Sequence, residues 1–508
     1  MTRRFVMAGG VVSLVILGGA SFVASQPPSP GPRPSLPGFA TAEGPLPDRL
    51  NQAGPRLGLD RGTVYRLWTD EWAGRGHHIR FQRSTDGGGT WPAESVLLDR
   101  DEPLGALSSG PAFAQDGTGR VMAIWRTAYP GAGGRRAIRF LASPDRGATW
   151  PGPTVTLSRG GGAFSGEISA DGRGRVYVVW YEERVPGTSR PGPRSARGAQ
   201  VAFTRSEDSG QSWLPDPVLL SAGDPGDSPD AAGSGARRRG PAYLSFQPRV
   251  ASDAQGRVFV CWLDTRRGSA ELFARVSEDH GGHWGPGVNV SRGARNARDH
   301  QVLTDGAGRV FVVWSDGRDG PEDVFFARSE DAGKTWEEPR RLSQRPAGAT
   351  TSAQPHMALG PGGRLYVAWA DRRNGREDVY LNLSTDAGKT WLDRDVRLDR
   401  DDEGTAVSRA PFVVASGTDG VAVLWQDDRT GFEQILLTRS DDGGRTWHPA
   451  EVRVDTTTAA GARAQSPSAV WDPSGALHVV WEVWAGGVAA AERRLGSARL
   501  PLNRLGHP

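Results

Sequence analysis

Two short sequences recur along this chain at a spacing close to 55 residues, and that period constrains the fold more than anything else in it. The first is an octapeptide with seven copies: STDGGGTW (84–91), SPDRGATW (143–150), SEDSGQSW (206–213), SEDHGGHW (277–284), SEDAGKTW (329–336), STDAGKTW (384–391) and SDDGGRTW (440–447). The second stands ahead of each copy and ends in tryptophan, as in GRVFVCW, GRVFVVW, GRLYVAW and GVAVLW. Its eight tryptophans are Trp68, Trp125, Trp180, Trp262, Trp314, Trp369, Trp425 and Trp481, separated by 57, 55, 82, 52, 55, 56 and 56 residues. A fixed period of this size marks a repeat architecture, in which each unit buries its apolar face against its neighbours. Length alone, 508 residues, would suggest two or three domains; a repeat array grows by adding units and needs only one.

Each unit reads as four strands: one ending at an Asp or Gly turn ("PRVASDAQG"), a second ending at the repeat Trp, a third running into the octapeptide, and a short fourth such as "VNVS". Alternating apolar residues and tight turns suit strands, and the 69 Gly and 37 Pro supply the turns. The expected fold is therefore all-β: a β-propeller of four-stranded antiparallel blades, whose ring leaves only short, protected edges. Eight blades are expected, with seven as the alternative if the last unit closes another blade or caps the ring. That unit, from about Gln465 to Leu502, has no octapeptide, and "RRLGSAR" is read as a tighter turn in its place. One propeller domain over 49–503 follows.

In the octapeptide, Asp accepts hydrogen bonds from the turn, Gly supplies positive φ, and Trp plugs the gap between sheets. Seven equivalent copies around a ring each see only their own blade, so the motif is structural; one Asp per turn is too few ligands for calcium. The pattern S-x-D-x-G-x-[ST]-W resembles the Asp-box, or bacterial neuraminidase repeat, of sialidases and related propellers, over residues 54 to about 500. The resemblance implies a ligand site on the face opposite the Asp boxes, where the loops between second and third strands and the blade connections lie. If the chain is an enzyme, the resemblance implies a glycoside hydrolase of exo-sialidase type. The family's Phe/Tyr-Arg-Ile-Pro motif is absent, "HHIRFQRS" being the nearest string, so no catalytic position carries over.

Positions where the repeats agree serve the frame, and positions where they differ are free to specialise. Thirteen residues before the repeat Trp stand Ala112, Glu167, Arg249, Gln301, His356, Phe412 and Ser468, with Arg56 nearest in the first unit. Mixed polar groups converging where the first strands meet the channel mouth are the expected ligand site. The loops WLDTRRG, WSDGRDG, WADRRNG and WQDDRTG agree with one another and read first as Asp–Arg clasps. Their functional reading is a ring of Arg266, Arg318, Arg373 and Arg429 around the mouth. Tyr129, Tyr181 and Tyr243, with Glu167, Glu182 and Glu183 as partners, are the candidate catalytic set. Two insertions, in 180–213 and 213–262, add Arg-rich loops such as "SRPGPRSARG" and favour an anionic ligand.

Residues 1–25 have the basic, apolar, small-residue layout of an export signal, with an uncleaved membrane anchor as runner-up. Residues 26–48 are too Pro-rich to pack and read as a spacer. The chain is expected to be exported, to the periplasm, cell surface or medium, and to be monomeric. Cys261 is the only cysteine, so no intramolecular disulfide forms. Nine scattered His and one Cys offer no spaced ligand set, and no metal or cofactor is expected. A net charge of +3 with interspersed acids and no basic strip argues against nucleic acid. The expected partner is a glycan or other anionic small ligand; the alternative is a non-catalytic recognition or assembly propeller.

Overall fold

A computed structural model describes residues 41–46, 54–71, 77–132, 134–159, 161–184, 198–222, 244–456, 462–485 and 492–501. The region read as an export signal lies outside these residues. No α-helix occurs among them, and no helix there is long and apolar enough to cross a membrane.

The strands form six four-stranded sheets and one eight-stranded sheet. The last is two such units joined by a single parallel pair, His77 with Leu107. The molecule is thus a β-propeller of antiparallel four-stranded blades, with eight four-stranded units among the described residues. The first strand of each unit contacts that of the next, and Arg463–Trp471 in the last unit contacts Arg56–Asp60 in the first. One unit runs Ser245–Ser252, Val258–Asp264, Glu271–Ser277 and Val288–Asn289. Its second strand, VFVCWLD, is buried throughout, because sheets pack on both of its faces and a strand so placed reads as a continuous apolar run. The core is accordingly a series of layers between neighbouring units. The layer between last and first units is the thinnest, with Trp68, Val480 and Leu495 as its buried residues.

The octapeptide builds the turn after the third strand. In the first copy, Gly88 N–H donates to Ser84 Oγ (2.8 Å), and Ser84 Oγ donates to Asp86 Oδ1 (2.6 Å). Thr90 donates through its N–H to Oδ1 (2.9 Å) and its hydroxyl to Oδ2 (2.7 Å). Hydrogen bonds from Ser84 and Thr90 hold the Asp86 carboxyl well below the usual carboxylate range. The motif's Trp then meets a Phe of the preceding unit edge-on: Phe81–Trp150, Phe140–Trp213, Phe203–Trp284 and Phe326–Trp391 lie at 4.8–4.9 Å. These four motifs thus rivet one blade to the next.

The last unit departs from expectation. RRLGSAR lies inside a strand, Glu492–Leu500, not a turn. The fourth strand of that unit comes from the other end of the chain: Thr41–Leu46 pairs antiparallel with it, Thr41 opposite Ala498. The Pro-rich stretch read as spacer up to residue 48 therefore includes a strand at its end. The physical reason is the missing octapeptide: the turn that leads into the fourth strand in the other seven units has no counterpart in this one, and an unpaired edge is a hazard that pairing removes.

A feature of the first strands escaped the sequence reading. In units two to eight each has a register shift, after Ser109, Phe164, Phe246, Arg298, Ala353, Arg409 and Gln465. The next residue, Gly110, Ser165, Gln247, Asp299, Gln354, Ala410 or Ser466, is left-handed, with φ between 40° and 62°. These are β-bulges, which re-aim side chains and are frequent beside ligand sites. Five are followed by proline (Pro111, Pro248, Pro355, Pro411, Pro467). Proline has no N–H to leave unpaired in the bulge.

Candidate functional site

The first and third strands run in the same direction, so the bulges, at the starts of first strands, lie at the end of the ring away from the octapeptides. There a cavity of about 530 Å³ opens on the axis. Arg56, Glu167, Arg249, Gln301, His356 and Phe412, from different units, all line it. Five of the seven residues that stand thirteen before the repeat Trp, with Arg56, are thereby brought together; Ala112 and Ser468 of that set do not line the cavity. Asp299, His300, Gln354 and Gln426 join it. The first three stand in bulges; of these only Gln354 is followed by the recurring proline that marks the register in the sequence.

Several of these side chains are tied to the next unit's first strand. Met357 N–H donates to Gln301 Oε1 (2.7 Å), Ala410 N–H to Gln354 Oε1 (3.0 Å) and Val413 N–H to His356 Nδ1 (3.3 Å). Accepting at Nδ1 leaves the His356 proton on Nε2. Its ring lies 4.2 Å from that of Phe412. Arg249 and Glu167 form an ion pair across the third and fourth units. Arg56 donates to Pro111 O (3.4 Å), and among the described residues no carboxylate pairs with it. The cavity thus presents a fixed set of amide and imidazole groups, one balanced ion pair, the Asp299 carboxylate, and the Arg56 guanidinium with no carboxylate in contact with it.

Both histidines are neutral. Burial, then the charge of Arg56, lowers His356 to about 4; burial, then Arg249, lowers His300 to about 3. Both folded values lie below the unfolded value near 6.5, so the unfolded state binds more protons between these limits. Stability is then full above about pH 6.5 and falls as the pH drops toward 4. Each histidine should cost about 2 kcal/mol between pH 7 and 5. Urea unfolding at the two pH values should show a smaller loss for His356→Gln than for the wild type; an equal loss would contradict the burial of a neutral ring.

Arg266, Arg318, Arg373 and Arg429 do not line this cavity. Each grips the Asp two residues after its repeat Trp: Arg266 Nη2 lies 2.8 Å from Asp264, Arg318 Nη2 2.7 Å from Asp316 and Arg373 Nη2 2.8 Å from Asp371, and Arg429 pairs with Asp427 in the same way. The same carboxylates accept the ring N–H of Trp262, Trp314, Trp369 and Trp425. Arg266 and Arg318 also donate to Ser221 O (3.0 Å) and Ser291 O (2.7 Å) of the preceding unit. With their donors spent on buried carboxylates and backbone, these arginines belong to the frame rather than to a ring of ligand contacts.

The catalytic candidates are dispersed. Glu182 is buried and accepts the Trp180 ring N–H (3.2 Å), taking the carboxylate's part in the third unit's clasp. Tyr181 stacks on Phe164 (5.1 Å, 9°) beside the cavity rather than lining it. Tyr129 donates to Glu102 (2.8 Å). Tyr243 and the Arg-rich insertions lie outside the described residues. Asp378, Asp399 and Asp401 bring carboxylate oxygens within 4.8 Å of one another, but Arg397 lies 3.0–3.2 Å from all three and offsets part of their charge.

Among solved structures, the fold is similar to three proteins of low identity. An ulvan lyase of polysaccharide lyase family PL25, bound to -[GlcA(1-4)Rha3S]-, is 12% identical, covering 74% of this chain and 89% of its own, with a TM-score of 0.45. The GH93 α-L-arabinofuranosidase of Fusarium graminearum is 14% identical (79% and 97%, TM-score 0.41). The Trypanosoma rangeli sialidase is 11% identical (93% and 60%, TM-score 0.39). No curated protein matches the chain. The BNR repeat-like domain matches residues 170–406 and 328–480, which together span more than half of the sequence and hold five of the seven octapeptides. The chain therefore belongs to the BNR repeat-like domain family.

Proposed function

We propose that this protein is exported and binds an acidic saccharide in the axial cavity, on the face opposite the octapeptide turns. The observation that carries the reading is the lining: Arg56 without a carboxylate partner, set among amide and imidazole groups already fixed to neighbouring strands. Fixed donors and acceptors suit a ligand rich in hydroxyls, because little side-chain freedom is lost on binding. The free guanidinium suits a carboxylate or sulfate, and the Phe412 ring offers an apolar face to a sugar ring.

Arg56→Gln should weaken binding of an acidic oligosaccharide by about tenfold or more, roughly 1.4 kcal/mol, and make the remaining affinity less sensitive to salt. Its effect on stability should stay within about 0.5 kcal/mol, since Arg56 is exposed. Titration calorimetry against a panel of acidic and neutral oligosaccharides checks both. If the wild type binds none of them, or the variant binds the acidic ligand equally well, the reading fails. Cleavage after residue 25 is checked by N-terminal sequencing of the protein recovered from outside the cytoplasm.

One observation favours hydrolysis as a second reading: two carboxylates, Glu167 and Asp299, line the same cavity, and most glycosidases work with such a pair. Release of fluorophore from a fluorogenic sialoside or uronide, lost in Glu167→Gln, would establish it; binding without turnover would leave recognition alone.

A further inference from the structure

Outside the axial cavity, two arginines share one aromatic ring with no acid between them. Arg126 follows the repeat Trp in the second unit, and Arg136 lies on the adjoining third strand, diagonal to it, since Arg126 is opposite Ile138. Their guanidinium carbons lie 5.9 and 4.5 Å from the centre of Phe164 in the third unit. Phe164 in turn stacks on Tyr181. Arg126 Nη2 donates to Ser109 Oγ (2.7 Å), while its buried Nε has no hydrogen-bond partner. The Arg136 side chain forms no hydrogen bond or ion pair among the described residues.

This is unlike the frame, where each clasp arginine is matched to a buried carboxylate. Two like charges held together, one of them with a buried unpaired N–H, oppose the folding of the empty protein. Burial and the charge of Arg136 both lower the Arg126 pKa. The location is the ligand face: Arg126 occupies the repeat position held by Gln426 in the seventh unit, and Gln426 lines the axial cavity. We infer that Arg126 and Arg136, beside the Phe164–Tyr181 stack, form a second binding site that takes an oxyanion, a carboxylate or a sulfate. A paired guanidinium site recognises the planar or tetrahedral oxygens through charge-assisted hydrogen bonds, and the unpaired Nε and the Arg136 donors are the groups left to make them. This site does not depend on the axial cavity binding a saccharide.

The test is calorimetric titration of the full chain with sodium sulfate and, separately, sodium glucuronate, on the wild type, Arg136→Gln and Arg136→Lys, with melting temperatures measured without added anion. Binding of sulfate, glucuronate or both by the wild type is expected, and which one binds tells a sulfate site from a carboxylate site. Arg136→Gln should weaken it by about tenfold or more and Arg136→Lys should restore most of it. Without anion, Arg136→Gln should melt at or above the wild-type temperature, because it removes a repulsion. Failure of the wild type to bind either anion would overturn the inference. So would equal binding by Arg136→Gln, or a lower melting temperature for it, which would make Arg136 a packing residue.

Discussion

Asp371→Ala is expected to lower the stability of the protein by about 3 to 5 kcal/mol. Asp371 is fully buried in its second strand, two residues after Trp369. It accepts from Ser352 Oγ (2.6 Å), from the Trp369 ring N–H (3.0 Å), and from Arg373 through the backbone N–H (2.9 Å), Nε (2.9 Å) and Nη2 (2.8 Å). Removing one carboxylate strands all of these donors in a place water does not reach, and leaves a guanidinium with Asp395 (2.8 Å) as its remaining close partner. The loss is therefore dominated by what is left unpaired, not by the net worth of the ion pair. Urea unfolding measures it. The double variant Asp371→Ala, Arg373→Met should recover part of the loss; if it is instead as unstable as the sum of both single variants, the clasp is not the coupled unit its geometry implies.

Gly388→Ala should cost about 2 to 4 kcal/mol, from two separable sources. Gly388 sits at φ +83, where an L side chain is strained, and an added Cβ would lie 2.5 Å from Cζ of Phe326 and 2.7 Å from Cε1. Phe326 cannot yield, because the Trp391 ring packs edge-on against it at 4.9 Å. Gly87→Ala is the control: its φ is +66 but nothing lies within 4 Å of the added carbon, so the conformational part, about 1 kcal/mol, is all it should lose. Thermal unfolding of the two variants separates strain from contact. Neither should change ligand affinity, since both residues lie at the octapeptide end. A change in affinity with unchanged stability would put function on the wrong face.

The legibility of the site followed the logic of the repeats. Glu167, Arg249, Gln301 and His356 were found because they differ at a register where the backbone repeats, and a ring brings such positions to one axis. The clasp arginines were legible in the opposite sense: four matching loops point to a shared structural demand, and Arg266, Arg318, Arg373 and Arg429 answer it. Phe164, Arg126 and Arg136 left no such trace. They lie on different strands of two units, and only the packing of one blade on the next gathers them around one ring. His300 was hidden for another reason: it stands where most other units have proline, and a lone substitution in a bulge has no periodic signature.

The edge of the last sheet shows the same division. That RRLGSAR is not followed by an octapeptide was plain in the sequence, whereas its partner strand, Thr41–Leu46, lies some 450 residues away in a stretch whose composition argues against packing. Local propensity cannot report a pairing whose stabilisation comes from a distant edge.

The sequence by itself therefore determined the blade: its four strands, its turn, its two tryptophans and its place in a series, because each is set by short-range chemistry repeated every 55 residues or so. Only the tertiary structure decided which arginines are spent and which are free. Arg373 and Arg136 are alike as residues, and both lie within strands near one end. One meets a buried carboxylate and the other a second arginine, and that difference depends on which side chain the neighbouring strand or blade brings within about 4 Å.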